Sequence, residues 1–119
     1  AGAESDCKKW GGELATIKKQ IENERLLQRM LTHTGVTSVW LGGQRDSQGG
    51  AWIWPDGTDV SDYTNWGNDE PDNEDLMAMK TDGTWSASGN GDTIHAAACQ
   101  KPATVCDVVS SGYCYAVHT

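Results

Sequence analysis

Residues 59–73 have weak periodicity and many polar groups, and they run into Glu70-Pro71-Asp72-Asn73-Glu74-Asp75, four carboxylates in six positions. Like charges this close repel one another, so a folded chain keeps them only where water, a cation or hydrogen-bond donors compensate. Such a segment cannot be core. A small domain that contains it must expose it as a long irregular loop and draw its interior from the residues on either side. Hard cations such as calcium take about six to eight oxygens, mostly from Asp, Glu, Asn and backbone carbonyls, so the loop is a candidate cation site. A plain solvated acidic turn is the competing reading.

The chain has 119 residues, the size of one domain with a core of its own. Its net charge is −8, and eight of the 17 acidic residues lie between positions 56 and 75. A negative field focused in this way favours a cation or a basic surface as ligand. The early basic residues Lys8, Lys9, Lys18, Lys19, Arg25 and Arg29 are interleaved with Glu13, Glu22 and Glu24, a mixed helix surface that speaks against nucleic acid. No apolar run approaches the ~20 residues of a membrane span, so no membrane insertion is expected. His33, His95 and His118 are scattered and no nucleophile motif is present, so the chain does not read as an enzyme. A pair of glycosidase-like carboxylates would need two environments that separate their pKa values, which one short exposed loop rarely supplies.

Cys7, Cys99, Cys106 and Cys114 lack the paired short spacings of zinc sites. An oxidising compartment accounts for them better than buried thiols do, and the chain reads as a mature secreted, extracellular protein. Four cysteines permit three connectivities, and composition does not choose among them.

Ala3, Cys7 and Trp10 recur at helical spacing until Gly11-Gly12 stops the helix. A second helix is predicted at about 21–31, with Leu27, Met30 and Leu31 inward. Strands are predicted at 39–42, 51–54, 76–80, 84–86 and 94–100, with turn signals at 46–50 and Asp56-Gly57. Six Trp and three Tyr stand in for an absent Phe, and their polar tips need partners wherever they are buried.

Taken in order, these pieces resemble the C-type lectin-like domain. The resemblance rests on Cys7 with Trp10-Gly11-Gly12-Glu13-Leu14-Ala15-Thr16-Ile17, on Glu24, and on Trp40-Leu41-Gly42-Gly43. It continues through Trp52-Ile53-Trp54-Pro55-Asp56-Gly57, Asn65-Trp66, Glu70-Pro71-Asp72 and Ala96-Ala97-Ala98-Cys99-Gln100-Lys101. It implies an α+β fold with two helices, small antiparallel sheets and a long irregular loop lobe, and a Cys7–Cys99 disulfide between the first helix and the closing strand. The family's second disulfide is absent, with Leu76 where one of its cysteines is expected. The tail departs from the family's order. Residues 106–115 resemble the hairpin and first strand that normally open the domain. The chain is therefore read as one domain over 1–119, circularly permuted, with that strand and hairpin at about 104–119 and Cys106–Cys114 closing the hairpin. A tail that begins a second unit or swaps onto a neighbouring copy is the alternative.

In sugar-binding members of the family, a calcium ion is held by both ends of the tripeptide, by a nearby Glu, and by an Asn-Asp pair after a Trp. Carried over, Glu70, Asp72 and Glu74 match calcium ligands, and Asp75 matches a position that serves an auxiliary calcium in some members. Trp85 is followed by Ser86-Ala87, which removes two ligands. An ionised carboxylate only accepts, so Asn73, Asn90 or backbone N–H groups would supply donors to a sugar. The resemblance thus implies a lectin that binds glycans or glycoproteins at Glu70, Asp72, Asn73, Glu74 and Asn90. Calcium and metal-free binding both stay open, the latter with Trp66, Tyr63 or Trp85 as an aromatic platform. Single-site affinity at a shallow polar site would be modest, which implies a homo-oligomer for avidity. A lectin-like domain that has lost the sugar site and binds a protein or other non-sugar partner is the alternative. At family level the expectation is glycan recognition, including innate immunity.

Overall fold

The computed structural model describes residues 2–45, 50–60, 63–68, 70, 74–89, 96–102 and 113–118. The first helix, α1 (Gly2–Trp10), stops where the N–H groups of Gly11 and Gly12 close back on the Lys8 and Cys7 carbonyls. The short strand β1 (Glu13–Leu14) follows and pairs antiparallel with β5 (Ala96–Pro102). Gly12 permits this contact. A Cβ there would lie 2.2 Å from the Gln100 carbonyl oxygen.

The second helix, α2 (Gln20–Leu31), begins where the Lys18 N–H donates to Glu22 Oε1 at 2.7 Å, so a residue of the first turn satisfies the backbone ahead of the helix. Its buried stripe is Asn23, Leu26 and Met30, with Leu27 half-buried. Leu31, predicted to face inward, is 58% exposed. The stripe is centred one position earlier than apolar residues alone suggest, because a buried Asn belongs to it.

The remaining strands are β2 (Ser38–Gln44), β3 (Leu76–Lys80), β4 (Trp85–Ser88) and β6 (Tyr113–His118). Among the described residues they form one six-stranded sheet in the order β1-β5-β2-β3-β4, with β6 paired to β5 as well. The β2–β5 pair is parallel, which makes the sheet mixed. The α+β architecture implied by the sequence is the one observed. Residues 51–54 do not form the predicted strand. Ile53 alone bridges, to Gln44 on one side and Asp59 on the other, while Trp52 and Trp54 turn into the core.

Strand β6 pairs antiparallel with β5 over six residues, from Ala97 opposite His118 to Pro102 opposite Tyr113. It also docks on α2, where Arg29 Nε donates to the Tyr115 carbonyl at 3.1 Å. Cys7 and Cys99 form the disulfide that the resemblance implies, joining α1 to β5 across 92 positions. Constraining a loop of that length in the unfolded chain contributes about 4–5 kcal/mol in the chain-entropy model. Cys106 and the side chain of Cys114 lie outside the described residues.

The core runs from α2 through the sheet to the Trp residues. Ile17, Leu26, Met30, Val39, Met77, Met79 and Trp85 are fully buried. Trp85 is the hub. Trp54, Tyr63 and Trp66 meet its ring edge-on, with centroids 5.7, 5.8 and 5.7 Å away. Its indole Nε1 donates to Asn23 Oδ1 at 2.7 Å, and Asn23 Nδ2 donates to the Gly83 carbonyl at 3.1 Å. The buried Asn on α2 is thus the partner that a buried indole N–H requires.

Candidate functional site

The long loop is positioned by the outer edge of β4. Among the named strands it pairs with β3 alone, and an edge without a strand partner leaves donors and acceptors to be satisfied in other ways. The loop covers it rung by rung. The Trp85 N–H donates to the Asn65 carbonyl at 2.8 Å, and the Gly67 N–H donates to the Trp85 carbonyl at 2.9 Å. At the next rung the backbone partner is replaced by a side chain. Glu70 Oε1 accepts from the Ala87 N–H at 2.8 Å.

This gives Glu70 a role that motif reading missed. Its carboxylate completes the ladder on β4, and Ala87 is one of the two positions where the family resemblance implies a calcium ligand. The signal was present in Asn65-Trp66, which sets the loop in register with Trp85, but an edge satisfied by a carboxylate has no sequence signature of its own.

Glu74 reaches the chain two residues further on, just past the end of β4. Its carboxylate lies against Gly89, where a Cβ would come within 2.4 Å of Oε2. Glycine at 89 is what makes room for this side chain. Asp75 is half-exposed and pairs with Arg45, with Oδ1 3.4 Å from Nε. Glu70 and Glu74 are therefore both brought to the end of β4, and Asp75 is engaged elsewhere. Asp72, Asn73 and Asn90, with Pro71 and Asp92, lie outside the described residues.

The aromatic candidates divide. Trp85 is 0% exposed and cannot stack on a ligand, because its ring is enclosed by three other aromatic side chains. Trp66 and Tyr63 are half-buried, Trp66 leaning on Trp52 with centroids 5.1 Å apart. Tyr63 also borders a cavity of about 100 Å3 lined by Lys18, Trp54, Thr58 and Asp59. Of the described candidate site residues, Tyr63 alone lines it, and none of their carboxylates does. Burial, and then the charge of Glu24, push the Tyr63 phenol above its ordinary pKa. Nearby, the Lys18 ammonium 2.6 Å from Asp56, together with the Thr58 hydroxyl and N–H, holds the Asp56 carboxyl down at about 2.

A calcium ion needs about six to eight oxygens at 2.3–2.6 Å. Among the described residues no three His, Cys, Asp or Glu side chains gather to offer them. Glu70 has committed Oε1 to an amide, and Ser86 and Ala87 bring a buried hydroxyl and a methyl to the strand. The described residues do not fit a calcium shell.

The family model described as the lectin C-type domain matches residues 1–107. The type-2 ice-structuring protein of Hemitripterus americanus is 41% identical over 76 residues, covering 64% of this chain and 42% of the relative. The chain spans less than half the length of the curated relatives it first matches. Among solved structures, the cow C-type carbohydrate-recognition domain of CD23, determined in the presence of a GlcNAc2Man3 oligosaccharide, is 27% identical with a TM-score of 0.70. That match covers 82% of this chain and 74% of the other. A calcium-independent type II antifreeze protein is 32% identical with a TM-score of 0.60, over 73% of this chain and 66% of the other.

Proposed function

The chain belongs to the C-type lectin domain family, and on that premise we propose that it is a glycan-binding module whose site is the end of β4 and the acidic loop beside it, working without calcium at that site. The observation that carries this reading is the convergence of Glu70 on Ala87 and Glu74 on Gly89. Each carboxylate accepts from a sugar hydroxyl, and backbone N–H groups or the neighbouring Asn73 and Asn90 supply the reciprocal donors. Asp72, from the same motif, is proposed as a further acceptor. An acceptor held in place before the ligand arrives costs less ordering on binding. Contacts of this kind are shallow, so a homo-oligomer supplies the avidity. The Cys7–Cys99 bond supports a secreted, extracellular setting.

The test is a glycan array run in calcium and again in chelator. Chelator-insensitive binding that Glu74→Ala reduces at least tenfold is the expected result. Binding abolished by chelator would return the site to calcium, with Asp72 and Asp75 among the ligands.

A second reading has its own support. Relatives named for ice structuring, and a calcium-independent antifreeze structure, stand beside the carbohydrate-recognition domain. On that reading the loop face engages a non-sugar ligand, ice or a protein surface. Thermal hysteresis in the absence of calcium, together with an empty glycan array, would favour it.

We also infer a single permuted domain over 1–119, in which residues 104–119 stand in for the family's opening strand and Cys106–Cys114 closes the hairpin. Support comes from the in-register pairing of β6 with β5. Moving residues 104–119 ahead of Ala1 should give a monomer of the same thermal stability, and a strand-exchanged dimer in the unaltered chain would overturn this reading.

A further inference from the structure

Arg45 follows β2 directly and its side chain is only 8% exposed, an unusual burial for a guanidinium. Its contacts include the acidic loop and the aromatic cluster beneath. Nε and Nη2 both donate to the Glu74 carbonyl, at 3.1 and 2.8 Å. Nε also lies 3.4 Å from Asp75 Oδ1, a charge contact and not a hydrogen bond, because its proton is turned to the carbonyl. The backbone adds a third link. The Arg45 N–H donates to the Asp75 carbonyl at 3.0 Å. The guanidinium carbon sits 4.9 Å from the centre of the Trp52 ring, itself packed on Trp66.

We propose that Arg45 is the positioning residue of the ligand site, fixing the Glu74 main chain so that the Glu74 carboxylate is aimed at the end of β4. The affinity part of this inference rests on the glycan reading above, while the clamp itself does not. The chemistry requires Arg in particular. A planar fork delivers two N–H groups to one carbonyl while its face lies on an indole, and a Lys ammonium, a point charge on a flexible stem, keeps the charge but loses the fork. Charge-assisted hydrogen bonds of this kind are roughly twice as strong as neutral ones. Glu74 stands between the clamp and Gly89, so a displaced main chain moves the carboxylate away from Gly89, where a Cβ would meet it.

The experiment compares wild type, R45K, E74A and the double variant by amide hydrogen exchange, and by binding to an immobilised panel of mono- and oligosaccharides in chelator. R45K should raise exchange at residues 74–76 roughly tenfold or more, with the amides of α1, α2 and β5 unchanged. It should weaken sugar binding roughly tenfold in the wild-type background and leave it unchanged in the E74A background. A residue that merely stabilises the fold would weaken both backgrounds alike. Unchanged exchange at 74–76, or loosening spread across the whole sheet, would overturn the clamp. Locally faster exchange with equal sugar affinity would overturn the positioning role. If wild type binds no sugar, the glycan reading falls while the exchange measurement still decides the clamp. R45K retains charge and most of the side-chain volume, so it should fold even if R45A does not.

Discussion

The two ends of the sheet are held by different kinds of force. At one end, α1, β1, β5 and β6 are tied by a disulfide, by six paired residues between β5 and β6, and by fully buried Ala and Cys side chains. At the other, beyond β4, the long loop is held by polar contacts to single atoms, namely Asn65 and Gly67 on Trp85, Glu70 on Ala87, and Arg45 on Glu74. Between them stands the Trp85 cluster. The first kind is strong and involves many atoms at once, and its apolar part is indifferent to direction. The second is weak per contact and directional. A binding loop benefits from the second kind, because its residues can change without disturbing the core, provided that each polar atom finds a partner.

That contrast predicts a graded set of losses. Removing the disulfide in a Cys7→Ala, Cys99→Ala variant should cost the most, about 4–5 kcal/mol in denaturant titrations. The loop contacts near Ala87 should stay in place in whatever fraction remains folded. If hydrogen exchange showed the loop opening as readily as α1 in that variant, the two ends would be one cooperative unit and the comparison would fail. Next comes the joint between them. Trp85→Phe keeps a ring in the cluster but leaves Asn23 Oδ1 without the indole donor, in a residue that is 4% exposed. A buried acceptor stripped of its partner costs about 1–3 kcal/mol. Asn23→Leu in the same background should recover part of that loss, measured by the shift in denaturation midpoint.

The sequence was legible where force follows pattern. The helical spacing of Cys7 and Trp10, the apolar runs of β2 and β3, and the strand closing at Gln100 all report period and burial, which are properties of residue type. It was less legible where a polar atom decides. Asn23 reads as a surface residue until Trp85 is seen to need an acceptor, and this is why apolar spacing alone sets the inward face of α2 one position too far along, at Leu31. Ala51-Trp52-Ile53-Trp54 reads as a buried strand because it is a short apolar run after a turn-rich segment, yet the chain turns back after Trp54 and, among the described residues, Ile53 alone of the four bridges. At the candidate site, motif resemblance singled out Glu70 and Glu74, which lie at the end of β4. It gave no hint that Glu70 pairs with the Ala87 amide or that Arg45 lies beneath Glu74, since neither contact repeats at a fixed spacing.

Within the polar end the rungs can be ranked. Glu70→Ala removes the partner of an amide whose residue is 6% exposed, and should cost about 1–3 kcal/mol with faster exchange at Ala87. Glu70→Gln keeps an acceptor oxygen and should recover most of that loss. Equal losses for the two variants would show that charge and not the rung matters. Gly89→Ala should cost less in stability, because the atom its methyl meets is the flexible end of Glu74. Its effect should fall on ligand affinity instead, and a change in stability without a change in affinity would separate Glu74 from the site.

The smallest effect lies at the Lys18–Asp56 pair, which ties the start of α2 to the hairpin carrying Trp54. Lys18, and then Thr58, lower the Asp56 carboxyl from 3.8 to about 2, so the folded state binds its proton less readily than the unfolded chain does. The sign follows from linkage. The contribution is complete above pH 3.8, shrinks as the pH falls, and is gone below about 2. Both side chains are more than 40% exposed, and pairs of this kind contribute at most about 1 kcal/mol. Asp56→Asn should therefore flatten the acid limb of the stability curve between pH 4 and 2 by a small amount, and 1 M salt should erase most of the difference between variant and wild type. A loss that survived high salt would place the stabilisation in the Thr58 hydrogen bonds. The turn after Trp54 would then be held by an uncharged local motif, much as the Asp82 carboxylate accepts from the Thr84 hydroxyl and N–H in the β3–β4 turn.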